Sequence, residues 1–183
     1  MAVAMRHSAD MSLRPILRMG HPILARRAAP VGDPTLPEIR ELAADMAETM
    51  RAADGRGIAA PQVGASLRLV MFHAPLGDEN ARGIDNAPLT VLADPVIEVL
   101  DAALDSDWEG CLSVPGLKGM VPRARAIRYR GLDLEGRLVE RVARDFHARV
   151  VQHECDHLDG ILYPQRMADL STLMYLNAVS HEE

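Results

Sequence analysis

Apolar positions in this chain recur in two rhythms, and the changes between them mark the elements. Between residues 34 and 55, Ile39, Leu42, Ala43, Met46 and Met50 fall at helical spacing and form one stripe. The flanks punctuate that stripe: Thr35 and Glu38 have capping-box spacing, Pro37 suits a first turn, and Gly55 is placed to terminate. An amphipathic helix is predicted there. Short apolar runs follow, LRLVMFH over residues 67–73 and TVLADPVIEVL around Asp94-Pro95, separated by a loop rich in Gly, Asp and Asn. ARAIRYR and LVERVAR then flank a turn-like segment from Gly131 to Gly136, which predicts a hairpin. Helical rhythm returns between Asp145 and Leu158, where Phe146, Val150, His153 and His157 sit four, three and four residues apart on one face. Leu170, Leu173, Met174 and Asn177 repeat such spacing over residues 165–179 and predict a closing helix. The pattern describes an α+β domain, with mixed or antiparallel sheets around a central helix at 145–158, one helix before them and one after.

Composition narrows the class. A chain of 183 residues that is 48% hydrophobic fits one compact domain with a real core. Residues 1–12 are polar and aperiodic and read as a flexible extension, leaving residues 13–183 as the single domain. Twenty basic residues against 26 acidic give a net charge of -6, which argues against a general binder of nucleic acid or anionic membranes. Aromatic residues at 3% leave few platforms for base stacking. No apolar stretch approaches the roughly 20 residues of a membrane span, and residues 1–12 lack the core of a signal peptide. A cytoplasmic protein is expected, its Cys111 and Cys155 reduced and unpaired.

Candidate chemistry concentrates in three segments. Residues 153–157 read His-Glu-Cys-Asp-His, an HExxH pattern that presents two imidazoles, one turn apart, to a single metal ion. Glu154 then stands beside the metal without binding it, where a carboxylate can move protons to and from a metal-activated water. Chance also produces five-residue patterns. Here, however, both histidines prolong the apolar stripe, and burying them without a metal leaves two imidazoles in need of partners. A catalytic site of this kind takes a third protein ligand, for which Cys111 in Trp108-Glu109-Gly110-Cys111-Leu112-Ser113 is the candidate; alone, it reads better as a small buried hydrophobe. The third segment, Gly55-Arg56-Gly57-Ile58-Ala59-Ala60-Pro61-Gln62, follows the first helix. Its small residues allow close approach of backbone to a ligand, and Gln62 offers an amide donor; by itself it is also an ordinary turn.

Together and in this order, GRGIAAPQ, EGCLS and QHECDHLDG resemble the GxGLAAxQ, EGCLS and QHExDHLxG motifs of the bacterial-type peptide deformylases. The resemblance runs from about Ile16 to Arg166. It implies an enzyme that removes the N-formyl group from the formylmethionine of newly made polypeptides and releases formate. Residue by residue, it makes Cys111, His153 and His157 the ligands of one divalent metal and Glu154 the general base and acid acting through metal-bound water. Gln62 and the backbone N–H of Leu112 become the oxyanion donors, and Gly57 the backbone contact of an extended substrate. Arg56, Asp107, Glu109, Phe146 and Val150 match positions around the methionine side chain. One thiolate and two imidazoles favour zinc on general grounds, whereas the family implies iron(II), with nickel or cobalt accepted. Contact with the ribosome is implied at family level only.

Departures fall around the methionine pocket. Arg56 and Asp107 stand where the family places apolar residues; a pair across the pocket mouth, an altered side-chain preference and plain solvent exposure all stay open. Asp94 replaces a common asparagine, and Ile58 a usual leucine. Arg123 matches a position expected to pair with Glu109, and Cys155 points away from the metal as core packing. A zinc peptidase shares HExxH but draws its third ligand from downstream, where Asp159 and Asp169 lack the spacing. A non-catalytic metal module leaves Glu154 and Gln62 without a task.

Overall fold

The structure, a computed structural model, describes residues 13–74 and 89–178. The expected extension at 1–12 and most of the loop rich in Gly, Asp and Asn lie outside the described residues.

Helix α1 spans Pro37–Ala52 and buries the whole predicted stripe. Its ends differ from expectation. No capping box forms, because Asp33 takes both the backbone N–H of Thr35 (2.9 Å) and its hydroxyl (2.7 Å), leaving Leu36 as a cap without a side-chain bond. At the other end Asp54, with φ 51°, makes the left-handed turn expected of Gly55, whose N–H still closes on the Met50 carbonyl.

Strands β1 (Gly57–Ala59), β2 (Leu69–His73), β3 (Leu89–Cys111), β4 (Val114–Leu132) and β5 (Leu138–Arg144) pair antiparallel in chain order. The apolar run of β2 is explained by burial on both faces, since successive side chains of a strand point to opposite sides. Leu69 and Met71 pack with α1, while Val70 and Phe72 pack with helix α2 (Asp145–Leu158), which lies across the other face. The predicted hairpin is the β4–β5 turn, where Asp133 accepts the N–H groups of Glu135 and Arg137 and Gly136 takes φ 77°. Asp94 also has positive φ, at 50°, beside a break in register. Its carboxylate accepts the N–H groups of Val31 (2.9 Å) and Gly32 (3.0 Å), which fastens the segment before α1 to the sheet.

The closing helix is not formed. Among the described residues, this stretch folds as single turns at Tyr163–Gln165 and Leu170–Thr172 and a short strand β6, Met174–Tyr175. Asp169 captures the N–H and hydroxyl of Ser171, and the open edge of β4 at Leu117–Lys118 pairs with β6. Ladder bonds to an existing sheet thus outcompete a helix that has no complete apolar face to bury. No described helix is long and apolar enough to cross a membrane.

Beyond Ala93, β3 leaves β2 and runs on with β4, becoming a two-stranded ribbon past Asp101, where β5 ends, with register shifts at Val99/Asp101 and Asp101/Leu104. This ribbon carries Cys111 back toward α2.

On the core side of α2, His147 is buried against Phe72 and Tyr129, whose hydroxyl lies 3.2 Å from Nε2. Burial, with the charge of Arg141, pulls its pKa down from 6.5 to about 4. Between those values the unfolded chain binds a proton that the folded chain refuses, so stability falls as pH drops through this window. The urea midpoint is expected to decline from pH 6.5 to 4 with a slope that His147→Asn reduces; equal slopes in both proteins would contradict this.

Candidate metal centre and cleft

Helix α2 places His153 and His157 one turn apart, with ring centroids separated by 5.1 Å. The last residue of β3, Cys111, comes up against them, its Sγ 3.4 Å from His157 Nε2. Ligand atoms of these three residues lie within 4.8 Å of one another, a spacing that one metal ion can bridge. The other candidates are occupied elsewhere: Asp159 pairs with Arg68, and Asp169 caps its own turn.

The surroundings fit a cation. His153 donates through Nδ1 to Glu109 Oε2 at 2.8 Å, which turns its other nitrogen to the site. Burial drives the His153 pKa down, yet Cys111 and Glu109 hold it well above the usual value. The donor set therefore favours positive charge at this point. His157, buried and facing His153, is pushed well below its usual pKa and offers a neutral imidazole. Two donors converge on the Cys111 sulfur, the backbone N–H of Ser113 (3.4 Å) and the Gln62 amide (3.6 Å).

Glu109 anchors the assembly. Burial pushes its pKa up, but His153 and Arg123 overcome this and bring it to about 2. Arg123 forks both its oxygens at 2.9 and 3.0 Å, as expected, and Arg149 donates to Oε1 at 2.9 Å. Arg123 also bonds Asp156, which in turn receives the fork of Arg166.

Glu154 sits in a different environment. It is buried, its Oε2 has no hydrogen-bond partner among the described residues, and burial raises its pKa to about 7. A carboxyl poised near neutrality can both take and return a proton. Gly57 lies directly against this carboxylate: a Cβ there would collide with Glu154 Oε1. Gln62 is 1% exposed and fixed by its Oε1 accepting the Ala59 N–H (2.8 Å), which leaves Nε2 to Ser113 Oγ (3.2 Å) and Cys111.

A cleft of about 420 Å³ opens over these groups. Of the residues expected around the substrate, Arg56, Gly57, Glu109, Phe146 and Val150 line it, together with Gln62 and Leu112. Asp107 does not; its carboxylate accepts the N–H of its neighbour Trp108 at 2.7 Å. Cys155 lies in the core cluster on the far side of α2, and burial pushes its thiol up, out of reach of ionisation. Sequence reasoning missed Arg149, Ser113, Asp156 and Leu176. Arg149 carried a signal, since it precedes His153 by one helical turn on the same face, but its partners arrive from distant strands.

Three converging groups that could hold a metal, beside a buried carboxyl poised near neutrality, match the apparatus of a metal-dependent hydrolase. The family model for polypeptide deformylase matches residues 13–172. Peptide deformylase 2 of Bordetella bronchiseptica is 52% identical over 167 residues, covering 91% of this chain and 94% of the relative. Peptide deformylase 1 of Nitrosomonas europaea is 45% identical over 170 residues, with the same coverage. Among solved structures, the Met-Ala-Ser-bound class I type b peptide deformylase of Acinetobacter baumannii superposes with a TM-score of 0.76 at 38% identity, over 86% of this chain and 99% of that one. Peptide deformylase from Thermotoga maritima gives 0.77 at 32% identity with the same coverage. This chain belongs to the polypeptide deformylase family.

Glu109→Gln removes the charge that orients His153 and balances two buried arginines. It is expected to weaken metal retention by about 10- to 100-fold in chelator competition. Gly57→Ala, which displaces the Glu154 carboxylate, is expected to keep the metal but lower kcat by at least about 10-fold.

Proposed function

We propose that this chain is the hydrolase that removes the N-formyl group from the formylmethionine of newly made polypeptides, releasing formate and a free amino terminus. The observation that carries this reading is the buried Glu154 carboxylate, held against Gly57 beside the three converging donors. Residues 13–183 act as one catalytic domain, with the HExxH helix at its centre and the strands arranged about it.

Cys111, His153 and His157 would hold one divalent ion, which we take to be iron(II), with nickel, cobalt or zinc able to occupy the same donors. When bound, the ion supplies Lewis acidity and lowers the pKa of a water enough to make a nucleophile near neutral pH. The protein's own groups do the rest. Glu154 accepts the proton of the attacking water and delivers it to the amine nitrogen as the C–N bond breaks. The Gln62 amide and the Leu112 N–H donate to the oxygen that becomes negative as the formyl carbon turns tetrahedral. Gly57, at the start of β1, offers its backbone to an extended peptide. Phe146 and Val150 receive the methionine side chain, bounded by Arg56 and Glu109, while Asp107, read from the sequence as a further neighbour, stands outside the cleft wall. The Met-Ala-Ser bound to the Acinetobacter relative is the peptide that deformylation of formyl-Met-Ala-Ser would leave, which supports this assignment. Such substrates exist as chains emerge, so we place the encounter in the cytoplasm, at the ribosome.

Protein loaded anaerobically with iron, or with nickel, should release formate from formyl-Met-Ala-Ser, and a chelator should abolish the release until metal is restored. Fully metallated protein that yields no formate would sink the reading, and cleavage of an internal peptide bond would turn it toward a peptidase. Glu154→Ala should retain metal while kcat falls by about 100-fold or more. Loss of the metal from that variant would instead make Glu154 structural.

A further inference from the structure

Arg149 is a long cation inside the wall of a cleft that otherwise receives an apolar side chain. It is 5% exposed, and every strong bond it makes leads to an element carrying part of the site. Nη1 donates to Glu109 Oε1 (2.9 Å) and to the Val121 carbonyl on β4 (2.7 Å). Nη2 donates to the Asp105 carbonyl on β3 (2.7 Å), with the Asp105 carboxylate 3.7 Å away. A buried guanidinium is tolerable only when so paired, and a planar fork can satisfy a carboxylate and two strand carbonyls at once, which a point charge cannot.

Those partners need holding. Residues 98–108 of β3 are exposed, the register with β4 slips twice just before Asp105, and among the described residues no strand pairs with the outer edge there. At the next buried position, Glu109, one oxygen is drawn by His153 and the other by Arg149, while Arg123 bridges both from the side of Asp156. Arg149 thus bonds both to the carboxylate that orients His153 and to the exposed ribbon beside the cleft. Because its charge is already paired, it meets the cleft as a wall and not as a free cation.

We propose that Arg149 is a positioning residue that couples the side-chain pocket to the metal centre: it fixes Glu109, and through it His153, while tethering the β3 ribbon at Asp105 to α2. The pocket half of this proposal rests on the deformylase reading, and the tethering half does not.

The test compares nickel-loaded wild type with Arg149→Met and Arg149→Lys. Three quantities are measured: nickel loss to a chelator, amide exchange over residues 104–109, and kcat and KM for formyl-Met-Ala-Ser against formyl-Ala-Ala-Ser. In Arg149→Met, nickel should leave about 10-fold faster, the ribbon amides should exchange faster, and the preference for the methionyl substrate should fall several-fold, mainly through KM. One ammonium can keep the charge on Glu109 but cannot also reach both strand carbonyls. Arg149→Lys should therefore restore nickel retention while exchange and preference stay altered. Wild-type nickel loss and exchange in Arg149→Met would overturn the proposal. So would wild-type exchange and preference in Arg149→Lys, the variant that decides if Arg149→Met does not fold. Chelation and exchange need no substrate, so a wild type that releases no formate would refute the deformylase reading and still leave the tether to be judged.

Discussion

A carboxylate taken out of water must be surrounded by positive charge or give up its own, and at Glu109 the fold takes the first course. Two arginines and a histidine close around it, drawn from β4 and from two turns of α2. Because Glu109 lies two residues before Cys111, the same ion cluster that neutralises it brings the thiol of β3 to the imidazoles of α2. The three candidate metal donors are thus brought together by a charge requirement one layer outside them. Glu154, one residue from the first histidine, is deprived of such partners and moves toward neutrality. Two buried glutamates in one cavity therefore hold opposite protonation preferences, one a fixed anion and the other poised near neutrality.

The sheet contributes by being covered on both sides. β2 gives alternate residues to α1 and to α2, so the glycine-rich segment ahead of it is held between two cores. That segment then needs no side chain at Gly57 for support, and the Glu154 carboxylate fills the space. The absence of a Cβ there is a packing condition of the site as much as a matter of backbone freedom.

Much of this was legible in the sequence because it depends on local periodicity. The stripe of α1, the run of β2, the β4–β5 hairpin and the face of α2 that carries His153 and His157 all follow from residues close together in the chain. What escaped depends on partners far away. Thr35 has the right spacing for a cap, but Asp33 reaches it first. Leu170, Leu173, Met174 and Asn177 have helical spacing, but β4 offers ladder bonds and a strand forms. Arg149 and Asp156 look like solvated charges until the strands that bury them are known. Of the residues read as a candidate site, all but Asp107 and His157 line the cleft, and His157 lies behind it against Cys111 and His153.

The exposed ribbon of β3 carries a last consequence. A long strand with a bare edge is a template on which another chain can add itself. Here the register shifts near Asp101 bend and twist that edge, and Asp101, Asp105 and Asp107 set negative charge along it. A neighbouring molecule would have to follow an irregular backbone and approach these acidic side chains to join. The irregularity of the ribbon thus also disfavours edge-to-edge pairing of strands.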